Sequence, residues 1–127
     1  MRKFVIFTVV LACAGLCSAQ SVSEPFKVGT FEIEGAPRVS IVLRDSLVVD
    51  IEAANTALER NAIYPSAPAP ADMLELIERY EYGLKRRMYE IVNNLVDNDM
   101  LGSTRPGYVH ALADVRTLPR SSTRARS

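Results

Sequence analysis

The sequence is poor in the residues that build disulfides and metal sites. It contains two cysteines and one histidine in 127 residues. Both cysteines, Cys13 and Cys17, lie in an N-terminal apolar segment that we expect to be removed, so the remaining chain has none. A disulfide framework is therefore excluded for the mature chain, as is a metal site built from cysteines or several histidines. Its stability must come from packing or from a partner.

The sequence also lacks an apolar run that would cross a bilayer comfortably, since a membrane-spanning helix needs roughly 20 apolar residues. Residues 4–16 are apolar, follow two positive residues and precede a stretch of small residues that ends at Ala19. This order predicts a secretory signal peptide over residues 1–19, cleaved after Ala19. A short membrane anchor is the alternative, and a lipoprotein signal fits less well because Leu11 is bulky. We therefore expect a secreted or periplasmic protein that is free of the membrane after cleavage.

The balanced net charge hides an asymmetry along the chain. Residues 20–117 carry 10 Lys and Arg residues against 15 Asp and Glu residues, whereas residues 118–127 carry three arginines and no acid. A mildly acidic body argues against nucleic-acid binding as the main role. The length that remains after cleavage suits one small domain, over residues 20–119, and we expect residues 120–127 to form a disordered basic tail.

Three short runs after residue 26 alternate apolar and polar residues with the period of a β-strand. The runs centre on residues 31–33, 39–43 and 47–51, with turn residues Gly35-Ala36-Pro37 and Arg44-Asp45-Ser46 between them. This pattern predicts an antiparallel meander with one buried face. Gly29 interrupts the alternation, which predicts a β-bulge there.

A short helix is predicted over residues 52–60, followed by a segment in which Pro65, Pro68 and Pro70 exclude regular structure. Asp72 then has the properties of a helix N-cap, and Glu75 three residues later completes a capping box. A last strand-like run is expected over residues 113–118.

The helix after Asp72 is predicted to be long and continuous, ending near residues 99–102. Its apolar residues recur at steps of three and four, as expected for one buried stripe. That stripe comprises Met73, Ile77, Tyr80, Leu84, Met88, Ile91 and Leu95, and the apolar residues outside it are Leu74, Leu76, Tyr82 and Tyr89. Together these elements predict an α+β fold: a small antiparallel sheet carrying one short and one long amphipathic helix. Because a small sheet covers one side of a helix, part of this apolar surface should stay exposed and favour self-association or a partner.

Few residues have spacings that indicate catalysis. His110 has no nearby nucleophile or acid, which favours a structural or surface role. Glu32 and Glu34 would lie about 7 Å apart on one side of a strand, an arrangement that is more often the solvated face of an edge strand than a cation site. The basic triplet at residues 85–87 is interpreted as a solvated helix face. Residues 97–102 lack the ligands of a calcium loop and indicate a polar helix end. We assign no catalytic, cofactor-binding or metal-binding residue.

Three segments resemble the N-terminal region of the fumarylacetoacetate hydrolase family. "KVGTFEIEGAPRVSIVLRDSLVVDIEAA" is similar to the family's opening strands, which include a strand of the type "RVGVLLGDRVVDL" before a helix with an alanine-rich start. "PADMLELIERYEYGLKRRMYEIV" resembles the helix that follows, and "ALADVRTLPR" resembles the lead-in to the family's catalytic domain. The resemblance covers residues 26–119 and rests mainly on hydrophobic pattern.

The resemblance implies a second, larger β-rich domain in intact relatives. There, a Glu-x-Glu pair and an Asp hold Mg²⁺ or another divalent ion that polarises an acylpyruvate or similar β-diketone substrate. In this chain the continuation reads "RSSTRARS". Glu32 and Glu34 match the residue types of the metal motif but lie in the wrong domain. His110 precedes the position of the family's histidine. Neither role is therefore transferred to this chain.

The leading hypothesis is therefore a non-catalytic N-terminal accessory domain of a secreted hydrolase-like protein, inactive alone and without a cofactor of its own. Its partner would be a missing or separately encoded catalytic domain. A free-standing secreted binding or assembly module is the alternative, and an enzyme complete in itself is the least favoured. The basic tail is interpreted either as a premature end or as an exposed tail on a domain that has lost its partner.

Overall fold

The computed structural model describes residues 24–118. The predicted signal peptide, its cleavage point and the predicted basic tail at residues 120–127 lie outside the described residues. The elements, in chain order, are β1 (Phe26–Ile33), β2 (Ala36–Leu43), β3 (Leu47–Asp50), α1 (Ile51–Leu58), α2 (Met73–Arg79), a 3-10 helix (Tyr80–Tyr82), α3 (Leu84–Asp97), β4 (Val109–Ala111), a second 3-10 helix (Leu112–Asp114) and β5 (Arg116–Thr117). The predicted α+β class is confirmed.

Strands β1, β2 and β3 form the predicted antiparallel meander. The first turn is tighter than expected: Ile33 pairs with Ala36, so only Glu34 and Gly35 lie between the strands. Both have positive φ, 53° and 78°, as a two-residue turn that matches the strand twist requires. The predicted bulge at Gly29 is wrong, because Gly29 pairs with Ser40 in unbroken register.

The sheet is curled, and its strand order shows why. The order is β4-β3-β2-β1-β5, which places β4 and β5 at opposite edges. In a flat sheet those edges would be about 19 Å apart, given strand spacings of about 4.8 Å. The connection from Ala111 to Arg116 could span about 17 Å if fully extended, and part of it is a 3-10 helix with a rise of only about 2 Å per residue. The two edges must therefore bend towards each other.

Each face of the curled sheet has its own apolar core. The outer, convex side packs against α1, α2 and α3 through a large cluster whose centre includes Ile41, Val49, Met88 and Val92. On the inner side, Phe31, Ile33 and Val48 form a smaller cluster. Leu112 and Val115, from the connection between β4 and β5, pack against that smaller cluster. Strand β1 is thus flanked by both β2 and β5.

The single long helix predicted after Asp72 is wrong, because the chain breaks at Gly83. Helix α2 ends at Arg79, a 3-10 helix follows, and Gly83 has a φ of 109° before α3 begins at Leu84. That left-handed value is one that residues with a Cβ rarely adopt. The break changes which side of α2 is buried: Leu76 is 3% exposed, whereas Ile77 of the predicted stripe is 52% exposed.

The ends of the helices follow the sequence signals closely. The Asp72 side chain accepts a hydrogen bond of 2.8 Å from the Glu75 backbone N–H, which confirms the predicted N-cap. Glu75 in turn accepts one of 3.0 Å from the Ala71 N–H. Helix α3 ends at Asp97, where the N–H of Met100 bonds to the Leu95 carbonyl at 2.8 Å. This is a Schellman-type end, in agreement with the predicted polar helix end.

No helix within residues 24–118 combines the length and the apolarity needed to span a membrane.

Candidate functional site

The candidate site is an open cleft at the end of the curled sheet where β3 runs into α1. Its volume is about 590 Å³, within the range of small-molecule sites. Residues 52, 53, 56, 57 and 60 line one side at helical spacing. The sheet contributes Ile33, Arg38, Asp50 and His110, the β1–β2 turn contributes Glu34, and the segment before β4 contributes Pro106, Gly107 and Tyr108.

The sheet register explains why these polar side chains meet. Residues paired across antiparallel strands share a face, and the side chains alternate along each strand. Val48 pairs with His110 and Ser40 pairs with Asp50, so the side chains of His110, Asp50 and Arg38 all belong to the inner face. The backbone N–H of Asp50 also donates to the Tyr108 carbonyl at 3.0 Å, which holds the segment before β4 beside the start of α1.

Three of the charged groups in the cleft are already engaged. Arg38 on β2 forms an ion pair with Glu52 in the first turn of α1. The buried Asp50 is the N-cap of α1, and its side chain accepts a hydrogen bond of 3.1 Å from the Glu52 backbone N–H. These contacts tie the sheet to the helix, and the Glu52 carboxylate balances the charge of Arg38.

Three other polar side chains of the cleft behave differently. Within residues 24–118, no hydrogen bond joins the side chain of Arg60, Tyr108 or His110 to another residue, and none of the ion pairs involves Arg60. Burial raises the pKa of the Tyr108 hydroxyl, and the positive charge of Arg60 acts in the opposite direction. Arg60 and Tyr108 line the same cleft. His110 is half-buried on β4.

The Glu32 and Glu34 carboxylates do not form a site. Glu32 lies on β1, opposite Pro37 and Arg116, while Glu34 lies in the turn with a positive φ. Their expected place on an edge strand is wrong, because β5 pairs with β1 at Phe31 and Glu32. Among the residues that the structure describes, no group of three His, Cys, Asp or Glu side chains could hold a metal ion.

The interpretation of residues 85–87 as a solvated face is wrong for Arg87. Its side chain is 4% exposed, whereas that of Arg86 is 70% exposed. Arg87 donates from Nε to Glu90 at 3.0 Å and from Nη1 to Asn55 at 2.7 Å. It also bonds to the carbonyl of Pro65 and pairs with Glu59 at 3.2 Å. A planar guanidinium with five donors suits such a buried hub.

This hub fixes the proline-rich segment against the helices. Asn55 donates to the Ala67 carbonyl at 2.7 Å, and the Ala67 N–H donates to Glu59 at 2.7 Å. The hydrogen bond from Ala67 is the largest cause that lowers the pKa of the Glu59 carboxyl, with Asn55 and Arg87 adding to it against the effect of desolvation. Every partner is a group of the chain itself, so the role of the cluster is structural. The signal missed in the sequence was the spacing of Arg87 and Glu90, one helical turn apart.

Three exposed apolar side chains, which we call the apolar row, lie on α2 and the 3-10 helix after it. They are Leu74, Ile77 and Tyr82, which are 63%, 52% and 89% exposed. Leu74 and Ile77 are neighbours on the helix surface at a spacing of three. Of the residues expected outside the buried stripe, Leu74 and Tyr82 are indeed exposed, but Leu76 is buried. Tyr89 contacts Phe26 edge to face, with ring centroids 5.8 Å apart.

Comparison of the chain with protein-family models, curated proteins and solved structures finds no match.

Proposed function

We propose that residues 20–119 form a non-catalytic accessory domain of the kind that precedes the catalytic domain in the fumarylacetoacetate hydrolase family. The domain would act by binding a second domain or subunit. That partner would bind the metal and catalyse the hydrolysis of an acylpyruvate or similar β-diketone. The sequence resemblance over residues 26–119 and the α+β arrangement of sheet and helices are consistent with this role. The proposal needs no catalytic residue, cofactor or metal ligand in this chain.

The observation that carries the proposal is the exposed apolar row. Three large apolar side chains within nine residues are each more than half exposed, although the rest of the chain buries a substantial core. Leaving a few hundred Å² of apolar surface in water forfeits several kcal/mol at roughly 25 cal/mol per Å². That amount is comparable to the whole stability of a small domain. A hydrophobic face of a partner domain is the occupant that this row fits.

We expect the isolated protein to self-associate or bind a hydrophobic dye through the apolar row. Replacing Leu74 and Ile77 together with glutamate should abolish both effects and leave the unfolding midpoint nearly unchanged, because both side chains are already in water. Sedimentation velocity and dye fluorescence measure this. Ile63→Glu is the matched control, since Ile63 is 75% exposed but lies outside α2, and this variant should behave as the wild type.

A compact, dye-silent monomer would contradict the partner-binding role and favour the free-standing module. Metal-dependent hydrolysis of an acylpyruvate by the purified chain would contradict the accessory role itself. The two outcomes are separable, because the first concerns the surface of α2 and the second concerns catalysis.

The proposal includes export to the periplasm or the exterior of the cell. The charge, length and small residues of the first 19 positions support a cleaved signal peptide. The exported protein should therefore begin at Gln20 and have no membrane anchor, which intact-mass measurement of the secreted fraction would show. Recovery of the chain with Met1 in a membrane fraction would refute export with cleavage.

A further inference from the structure

The cleft beside α1 holds an uncompensated set of hydrogen-bonding groups. Arg60 follows the last turn of α1, Tyr108 lies in the segment before β4, and His110 lies on β4. Tyr108 and His110 are two residues apart and Arg60 lies far from them in the sequence, yet all three line the same cleft. Tyr108 and His110 are half-buried and Arg60 is exposed. Within residues 24–118 none of the three makes a side-chain hydrogen bond, so all three are available to a ligand.

The charges of the cleft restrict what these groups could bind. Arg38 is paired with Glu52, and Asp50 caps α1, so Arg60 is the cation in the lining that no carboxylate of the described residues neutralises. Glu34, Asp50 and Glu52 also line the cleft. Three carboxylates against two guanidinium groups give the lining a net charge of −1. An anion is therefore opposed unless its charge lies directly at Arg60, and a ligand with two or more negative charges is opposed most.

The apolar residues of the lining favour a ligand with a hydrocarbon portion. Ile33, Ala53, Ala57 and Pro106 lie among the polar groups, and a hydrocarbon portion of a ligand would pack against them. A volume of about 590 Å³ accommodates a small organic molecule. One unpaired guanidinium, two further hydrogen-bonding side chains and apolar contacts match a single carboxylate attached to a short hydrocarbon group.

We propose that this cleft binds a small organic monocarboxylate, with Arg60 pairing with the carboxylate and with Tyr108 and His110 as hydrogen-bonding partners. The site is separate from the apolar row on α2, and it does not depend on the identity of any partner domain. The proposal concerns binding alone and requires no reaction at the cleft.

Butyrate is a suitable probe, and the single histidine makes its ring signals unambiguous in NMR spectra of the untagged protein. Titration with butyrate should shift the His110 and Tyr108 ring signals to saturation. Butyramide, which has nearly the same shape without the charge, should shift them much less. Inorganic phosphate should also bind more weakly, because it carries more charge and no hydrocarbon group.

Arg60→Gln should weaken butyrate binding by about tenfold or more, the effect expected from losing a charge-assisted hydrogen bond. Arg105→Gln is the matched control, because Arg105 is also exposed but does not line the cleft; its affinity should equal that of the wild type. Both arginines are exposed, so far-UV circular dichroism should confirm that both variants fold.

Three results would overturn the proposal: no saturable shift with butyrate, equal binding of butyramide, or equal affinities of the Arg60→Gln and Arg105→Gln variants. Phosphate binding as tightly as butyrate would overturn the assignment of a monocarboxylate. None of these results would bear on whether α2 contacts a second domain.

Discussion

Replacing Arg87 with methionine should lower the free energy of unfolding by about 3–5 kcal/mol, the usual cost of removing one partner from a buried ion pair. Methionine fills a similar volume, so the loss would come from polar groups rather than from a cavity. The Glu90 carboxylate would keep only its contact with Arg86, at 3.1 Å. Asn55 and the Pro65 carbonyl would each lose the hydrogen bond that Arg87 donates. Urea unfolding followed by circular dichroism measures the change.

Arg86→Met is the matched control, because Arg86 pairs with the same glutamate from a side chain that is 70% exposed. Exposed ion pairs contribute about 0–1 kcal/mol, so this variant should unfold close to the wild type. Equal losses for Arg86→Met and Arg87→Met would mean that Arg87 is not a buried hub.

A double variant separates the buried charge from the lost hydrogen bonds. Combining Arg87→Met with Glu90→Gln removes the Glu90 charge and leaves Glu59 as the carboxylate that has lost its pairing with Arg87. Its loss should therefore be smaller than the sum of the two single losses, by a coupling of about 1–3 kcal/mol. The Pro65 carbonyl would still lack its donor, so stability should not return fully to that of the wild type. Strict additivity would contradict a direct interaction between the two side chains.

The meander and the helix caps could be predicted because their signals are local. Alternation of apolar residues specifies which face of a strand is buried, and the Asp72 cap needs only groups within three residues of it. The bulge predicted at Gly29 fails because a glycine tolerates a bulge but does not require one. The packing of Leu112 and Val115 across the inner face could not be predicted, since it depends on the strand order.

The candidate cleft was harder to predict than the fold. Its polar residues are separated by tens of positions in the sequence, and the register that brings Arg38, Asp50 and His110 to one face involves three strands. The sequence identified His110 only as a lone histidine. The helical spacing of residues 52, 56 and 60 was a usable signal for one wall of the cleft. Nothing local indicated that the segment before β4 would form the opposite wall.

The α2 helix shows where periodicity is ambiguous. Steps of three and four connect Met73 to Tyr80 through either Leu76 or Ile77, and both residues are apolar. The stripe predicted for one continuous helix contains Ile77, whereas the structure buries Leu76. The chain turns at Gly83 before α3 begins, so α2 presents a different side to the core from the one that a straight helix would present.

Alanine substitutions in α2 should distinguish a helix broken at Gly83 from one continuous helix, because the two arrangements predict very different losses of stability at Leu76 and Ile77. Leu76→Ala is expected to cost about 2–5 kcal/mol, the usual range for a buried leucine, because Leu76 is 3% exposed. Ile77→Ala should change stability by no more than about 0.5 kcal/mol, as is usual for surface positions. Urea unfolding, measured at concentrations where both variants are monomeric, gives the comparison. A larger loss for Ile77→Ala than for Leu76→Ala would favour the continuous helix.

Gly83→Ala tests the break itself through the sign of its effect. In a continuous helix, alanine in place of glycine would stabilise the protein by about 1 kcal/mol. At the observed φ of 109°, a residue with a Cβ is strained, and a loss of about 1–3 kcal/mol is expected. An added Cβ meets no atom within 4 Å, so a loss would report the backbone conformation and not a steric clash with the surroundings. Stabilisation by alanine would mean that α2 and α3 form one continuous helix. In that case the break at Gly83 could not explain why Leu76 is buried in place of Ile77.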